Sequence, residues 1–369
     1  MKKMKKISII MIVALTAFSM AAFSACGSSV MHSADSSSAE PSTVARTDDG
    51  GYSCDVFAMD TTMNIKAYGG RKAKQAVADA AQKIYELDSE LSVVRKTSSV
   101  YKLNNRETDT VDGSTADVLS ESLRLAGATG GAFDPTIYPI VRAWGFTTGK
   151  YKVPSDSEIA ELLTHVGYDK VSIDTGADGA AKVTFSDDKT ELDTGAIGKG
   201  YASQVIHDLF RDEGIDSAIA TLGGNVMTVG SKQDGSSWTV AVEDPKNTDD
   251  YAGYITLNDE FAVTSGGYQR YFDQNGKRYI HIMDPSTGHP VDNDLSSVTI
   301  ISKSGTEADA LSTALYVMGL KKAEDFWRTS DMDFGIILID TDGKKYVSED
   351  IADRFSVDSG SFETIKKQA

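Results

Sequence analysis

Asp193-Thr-Gly-Ala-Ile-Gly-Lys-Gly-Tyr201 constrains this chain more than any other stretch. A β-like approach, Val183-Thr-Phe185 and then Glu191-Leu192, runs into the acid Asp193 and a loop with glycines at 195, 198 and 200. A helix-compatible run follows from Tyr201 to Arg211. Glycines let a backbone approach a ligand closely, and the helix start behind them leaves N–H groups unpaired. Such an end attracts phosphate by roughly 0.3–2 kcal/mol, and Lys199 adds a cation at the same place. A carboxylate, a lysine and a flexible loop at a strand-to-helix junction point to a phosphorylated ligand, with or without a metal. An ordinary tight turn is the alternative. The spacing Gly195-x-x-Gly198-Lys199-Gly200 is not a Walker A loop, which has four residues between its glycines and Ser or Thr after the lysine.

The N-terminus predicts export. Met1 to Lys6 carries four lysines, Ile7 to Met20 forms an apolar run, and Phe23-Ser-Ala-Cys26 is a small-residue cleavage site ending in cysteine. That pattern reads as a lipoprotein signal over residues 1–25, with Cys26 as the acylated N-terminus of an extracytoplasmic protein anchored to a membrane by lipid. An uncleaved membrane anchor is the alternative, but it needs about 20 apolar residues, and Ser and Thr interrupt this run. The cysteines are Cys26 and Cys54, so lipidation leaves no pair for an intrachain disulfide. Residues 26–50, rich in Ser, Ala, Thr and Asp, predict a disordered tether, with folded sequence beginning near Tyr52 and a single domain over 51–369. Losing the signal deletes four lysines and no acid, which takes the net charge from −17 to −21. So acidic a surface argues against nucleic acid as a partner. It also repels an anionic ligand at long range, but screening within about 8 Å at physiological salt lets a local lysine or divalent cation override that field.

Periodicity gives an α+β reading. Apolar residues recur at helical steps over Arg71 to Leu91, and further helices are expected over Ser114 to Thr129, with Ser114 as cap, Pro154 to Val166, and Thr306 to Met318, closed by Gly319. Ser98 to Asn104 reads as a connector. Short strands dominate the second half, from Ala218-Ile-Ala-Thr-Leu222 to a closing hairpin over Phe334 to Val347.

Three further places carry chemistry. Asp309 and Thr313 lie four residues apart, hence on one helix face, and hard oxygen ligands so placed suit Mg²⁺. A solvated polar face is the alternative. Ala132-Phe-Asp-Pro-Thr136 sets an aromatic beside an acid, able to hold a planar ring and hydrogen-bond its edge, or else to form a turn capped by Asp134. His281 ends a strand beside Asp284-Pro285, with an ordinary pKa near 6.5 that suits a general base. No histidine pair has zinc-protease spacing.

Seven fragments then agree on one family. Met59-Asp-Thr, Phe133-Asp-Pro-Thr, Asp193-Thr-Gly-Ala-Ile-Gly-Lys-Gly-Tyr, Leu222-Gly-Gly-Asn, Thr264-Ser-Gly, His281-Ile-Met-Asp-Pro-Ser-Thr-Gly and Ala308-Asp-Ala-Leu-Ser-Thr-Ala resemble, in order, the ApbE-type FAD:protein FMN transferases. The resemblance implies a T-fold-related α+β core, a mostly antiparallel sheet with packed helices. It implies Mg²⁺-dependent cleavage of the FAD pyrophosphate, FMN passing to a Thr or Ser hydroxyl of an acceptor redox protein with release of AMP. Met59, Ala132, Phe133, Asp134, Asp193, Lys199, His281 and Ile282 are then the expected FAD contacts. The Ala196 carbonyl, Asp309 and Thr313 are the expected metal ligands, and His281, Asp309 and Lys199 the catalytic group. FAD hydrolysis to FMN and AMP, or flavin binding without catalysis, are the alternatives. Asp60 departs from the pattern, which usually has Gly there, and the aromatic often found near Leu91-Ser-Val-Val-Arg95 is absent.

Overall fold

The computed structural model describes residues 43–177 and 179–367. β1 (Ala45–Arg46), β2 (Tyr52–Ala58) and β3 (Thr61–Ala67) form an antiparallel meander. Cys54, Val56 and Ala58 on β2 and Met63, Ile65 and Ala67 on β3 alternate with more open residues, the pattern of strands with one buried face. α1 (Arg71–Leu91) lays Ala73, Val77, Ala80, Ile84, Leu87 and Leu91 against that face, at the spacing the sequence predicts.

Four short helices follow: α2 (Ser99–Asn104), α3 (Gly113–Ala128), α4 (Tyr138–Ala143) and α5 (Asp156–Leu163). Between them β4 (Thr110–Val111) joins β5 (Val171–Thr175) and β6 (Ala181–Phe185) in a small sheet. α6 (Gly198–Asp212) leaves the glycine loop and is succeeded by β7 (Ser217–Leu222) and β8 (Asn225–Gly230). Next come β9 (Trp238–Asp244), β10 (Asn247–Leu257), β11 (Phe261–Gly266), β12 (Tyr271–Gln274), β13 (Lys277–Ile280) and β14 (Leu295–Ser302). The chain ends with α7 (Gly305–Met318), α8 (Leu320–Thr329), β15 (Phe334–Asp340), β16 (Lys345–Ser348), β17 (Phe355–Ser356) and β18 (Phe362–Ile365).

Ten strands form the central sheet in the order β1-β2-β3-β7-β8-β11-β14-β15-β16-β18, antiparallel except for β16 with β18. The period-two rule assigns its faces. Val263 and Ile300 pack with α1, α6 and α7 in one core, whereas Ala262 and Ile301 turn to the other face, under Trp238, Val240 and Ile255 of a β17-β10-β9 sheet. A smaller cluster of Ile140, Trp144, Phe146, Ile159, Phe272 and Met283 ties α4, α5 and the β12–β13 hairpin together.

The mostly antiparallel α+β expectation stands, with local differences. Ordered chain begins before Tyr52, because Ala45 and Arg46 pair with Ser53 and Tyr52, and Asp49 accepts bonds from Lys66 Nζ (2.6 Å) and Tyr68 Oη (2.7 Å). The tether expected through Gly50 is therefore too long at its C-terminal end. A polar segment can be ordered by edge pairing and charge-assisted bonds without an apolar pattern. Burial opposes the Asp49 charge, but the bonds from Lys66, Thr47 and Tyr68 prevail and hold its carboxyl well below the usual carboxylate range. The Ser98–Asn104 connector is helical, with Ser98 Oγ accepting from Tyr101 N at 2.9 Å. α3 starts at Gly113 after Asp112, so Ser114 lies in the first turn and is not the cap. The expected signal peptide and Cys26 lie outside the described residues. Among those described, no helix is long and apolar enough to cross a membrane.

The helix layer depends on a close approach of α6 to α7. A Cβ on Gly200 would overlap the Gly305 carbonyl and Asp309 Cβ, whereas one on Gly198 would meet open space. Gly200→Ala should therefore cost roughly 1–3 kcal/mol. Gly198→Ala should be neutral or stabilising by up to about 1 kcal/mol. Urea midpoints of the two variants, at unchanged m-value, check the contrast.

Candidate active site

The glycine loop is held in shape by residues distant in sequence. Asn104 Oδ1 accepts from Leu192 N at 2.7 Å, and its Nδ2 donates to Leu192 O at 2.8 Å, gripping the segment just before Asp193. Asp193 N donates to the Pro135 carbonyl at 2.6 Å, and Thr194 Oγ1 to the Leu91 carbonyl at 2.8 Å. The expected strand at Glu191-Leu192 is only a single bridge from Glu191 to Ile137, and these pins replace a ladder. Asp193 Oδ1 accepts from Gly195 N at 2.7 Å and closes the turn. Burial raises the Asp193 carboxyl above its ordinary range, while that N–H and the charges of Lys199 and Arg270 pull the other way.

Beyond the turn, α6 begins with no side-chain cap of its own. Its cap comes from the neighbouring helix: Gly200 N donates to Asp309 Oδ2 at 2.7 Å. A carboxylate at a helix N-terminus is also favoured by the helix dipole. Thr313, one turn further along α7, lies 3.4 Å from Ser265 Oγ, which is 2.8 Å from Ser312 Oγ. The glycine loop, two oxygen-bearing positions of α7 and the end of β11 thus meet. The expected metal set of the Ala196 carbonyl, Asp309 and Thr313 consists of hard oxygens, which fits a Mg²⁺ that keeps waters and ligand phosphates as its remaining partners. Among the described residues, no group of three or more His, Cys, Asp or Glu side chains could hold a metal ion.

His281 follows β13, and its ring reaches back across the hairpin. Both its backbone N (3.0 Å) and Nδ1 (3.1 Å) lie against the Arg270 carbonyl. A carbonyl only accepts, so Nδ1 carries the proton and a neutral ring leaves Nε2 as an acceptor. Burial lowers the His281 pKa to about 4, opposed by the Arg270 carbonyl and reinforced by the charges of Lys199 and Arg270. Lys199 Nζ lies 3.3 Å from the Gly195 carbonyl. Asp193, Lys199, Arg270 and His281 therefore form one electrostatic unit.

The other expected ligand contacts have mixed placements. Met59 sits in the β2–β3 turn with φ of 48°, its N–H donating to Asp88 Oδ1 at 2.9 Å. Phe133 is in the main core. Asp134 Oδ1 accepts from Thr136 N (2.8 Å) and Thr136 Oγ1 (2.6 Å), and Oδ2 from Tyr168 N (2.9 Å). These contacts match the alternative of a turn held by Asp134, with Phe133 packed in the core beside it. Ile282 is buried, with its carbonyl accepting from Val291 N at 2.9 Å. Sequence reasoning missed Arg270 and Asn104. A basic residue a few positions after a Gly-Gly turn at a strand end was the available signal for Arg270, whereas nothing local marks Asn104.

Fold and site define a class: an α+β protein that presents cations, a neutral imidazole and a hard-oxygen cluster where two helices meet the end of a strand. A model of the ApbE family matches residues 59–337, and the chain belongs to that family. It is similar to a FAD:protein FMN transferase of Vibrio cholerae, 33% identical over 302 residues, covering 79% of this chain and 88% of the relative. A Treponema pallidum protein of the same name is 32% identical over 290 residues, covering 74% and 80%. Among solved structures, the ApbE protein of Thermotoga maritima superposes with a TM-score of 0.75 at 31% identity, covering 82% of this chain and 99% of that one. The flavin transferase ApbE of Vibrio cholerae does so at 0.71 and 28%, covering 82% and 99%.

Titration of the His281 ring, followed by its Cε1–H resonance in the ligand-free protein, should give a midpoint near 4 where an open imidazole gives about 6.5. The linked stability has a fixed sign. Between those two pH values the unfolded chain binds the extra proton, so His281 lowers stability as pH falls from about 6.5 toward 4. Denaturant midpoints of wild type and His281→Gln over that window check it, the gap narrowing at low pH.

Proposed function

We propose that this protein is a transferase that moves FMN from FAD to a hydroxyl of an acceptor protein. The observation that carries this reading is the meeting of the Lys199 loop with Asp309 across the 2.7 Å Gly200 bond, next to a neutral His281. It is supported by the names of relatives that match over most of their length.

In this reading a Thr or Ser hydroxyl oxygen forms a bond to the flavin-side phosphorus of FAD. The bond from that phosphorus to the bridging oxygen breaks, and AMP leaves with the oxygen. Such transfers need little covalent help and much positioning and charge stabilisation. Lys199 Nζ faces the phosphate oxygens, while the first-turn N–H groups of Gly198 and Gly200 are held by the Thr194 carbonyl and Asp309. His281 Nε2 takes the hydroxyl proton, with the Arg270 carbonyl holding the ring through Nδ1. An anionic ligand between Lys199 and Arg270 offsets their charges and raises the His281 pKa toward a useful base. Asp309, Thr313 and the Ala196 carbonyl would hold Mg²⁺, whose bound charge would neutralise the pyrophosphate.

We further propose that Cys26 carries lipid and that the protein acts outside the cytoplasmic membrane on an exported or membrane redox acceptor. Labelled fatty acid should be incorporated into wild type and not into Cys26→Ser.

With FAD, Mg²⁺ and an acceptor, the full-length protein should yield a covalently fluorescent acceptor band on a denaturing gel and one AMP per flavin attached. Chelation of divalent cations should abolish the band, and Asp309→Ala should lower the rate by roughly 10²-fold or more. FMN and AMP appearing without a labelled acceptor would mark hydrolysis by water as the main activity. FAD binding with no AMP under any metal would leave a flavin-binding protein without catalysis.

A further inference from the structure

The loop after β11 turns at Gly266 and Gly267, where added Cβ atoms would strike Tyr268 and the Tyr316 hydroxyl, and it delivers Arg270 to the site. This residue has two separate roles. Its backbone carbonyl accepts from His281, as described, and any side chain at position 270 would retain that carbonyl. Its guanidinium donates from Nη2 to the Phe146 carbonyl and holds Nη1 4.0 Å from Asp60 Oδ2, on the β2–β3 turn.

The Asp60 pair is open to solvent, with side chains 42% and 84% exposed, so it contributes little to stability. Yet Asp60 has φ of 58° and Met59 φ of 48°, a left-handed pair without glycine. A guanidinium presents five N–H donors in a planar fork that suits phosphate oxygens. Among the described residues, the Phe146 carbonyl is the acceptor hydrogen-bonded to this one. Its charge and that of Lys199 act on the same two groups, Asp193 and His281, from different elements of the fold.

We propose that Arg270 is a second phosphate-binding cation, opposing Lys199, and that Asp60 is its partner when no anion is bound. The Asp60–Arg270 pair then sets how strongly the site selects ligands by phosphate charge. The inference rests on the flavin-transfer reading and adds to it the residue that distinguishes a phosphorylated flavin from a bare one. Asp60 competes with the ligand for the guanidinium, so removing its charge strengthens phosphate binding.

The test is binding of riboflavin, FMN, FAD and inorganic pyrophosphate to the full-length protein, by flavin fluorescence and, for pyrophosphate, by calorimetry. Arg270→Gln should weaken FAD and FMN by roughly 10- to 100-fold and leave riboflavin within about twofold. Arg270→Lys, which keeps the charge but not the fork, should fall between, and it carries the test if the glutamine variant does not fold. Asp60→Asn should tighten FAD by roughly 2- to 10-fold, with a shallower gain at high salt. Equal loss of riboflavin and FAD in Arg270→Gln would overturn the proposal in favour of a purely structural role. Wild-type FAD affinity in that variant would overturn it while leaving flavin transfer intact. A wild type that binds pyrophosphate through Arg270 but no flavin would reject the flavin reading and, with it, the claim that this residue selects among flavins.

Discussion

The short bond from the Gly200 amide to the Asp309 carboxylate organises the functional half of this molecule. It spans two helices that are distant in sequence, and it forms because neither Gly200 nor Gly305 carries a side chain at the crossing. A buried N–H left unpaired there would cost about 1–3 kcal/mol, so the bond both caps α6 and fixes the rotation of α7. That rotation sets Thr313 beside Ser265 and Asp309 against the Gly200 amide that follows Lys199. A single contact thus joins helix capping, helix packing and the assembly of the site.

Charge is arranged locally against the sign of the whole. The chain is strongly acidic, with a formal net charge of −17, yet Lys199 and Arg270 act together on one acid and one imidazole. Long-range repulsion of an anion is screened by salt within about a Debye length, so a cation in direct contact with a ligand can outweigh it. The neutral state of His281 follows from the same arrangement. Burial and two neighbouring cations disfavour its protonation, so the ring is neutral with Nε2 left as an acceptor.

The aromatic cluster around Trp144 explains how a loop residue such as Arg270 is positioned. Phe146 supplies the carbonyl that receives its guanidinium, and Phe146 itself packs against Phe272 and Tyr151 with ring centres 5.6 and 5.3 Å apart. Trp144 Nε1 donates to the Gly288 carbonyl at 2.9 Å, and a Cβ on Gly288 would press on Ile159 and Ile140. The turn that follows His281 is thereby docked on α4 and α5. This wall lets loops carry chemistry on a rigid support.

Sequence alone determined what depends on local chemistry. The helices α1 and α7 were legible from the spacing of Ala73 to Leu91 and from Gly319, the strands from alternation, and the Lys199 loop from its glycines at a strand-to-helix junction. Asp309 and Thr313 were legible as a pair because four residues make one helical turn. Only the tertiary structure decided the rest. Asn104 and Leu91 hold the glycine loop from 88 and 103 residues away, and no periodicity encodes such a bond. Phe133 and Asp134 left a ring clasp and a capped turn open by spacing alone, and the packing of Phe133 with three hydrogen bonds to Asp134 shows the turn. Arg270 became part of the site because strand register places its carbonyl under His281 and its side chain opposite Asp60. Residue type and spacing state what a side chain can do, and the fold's long-range register decides which groups it does it with.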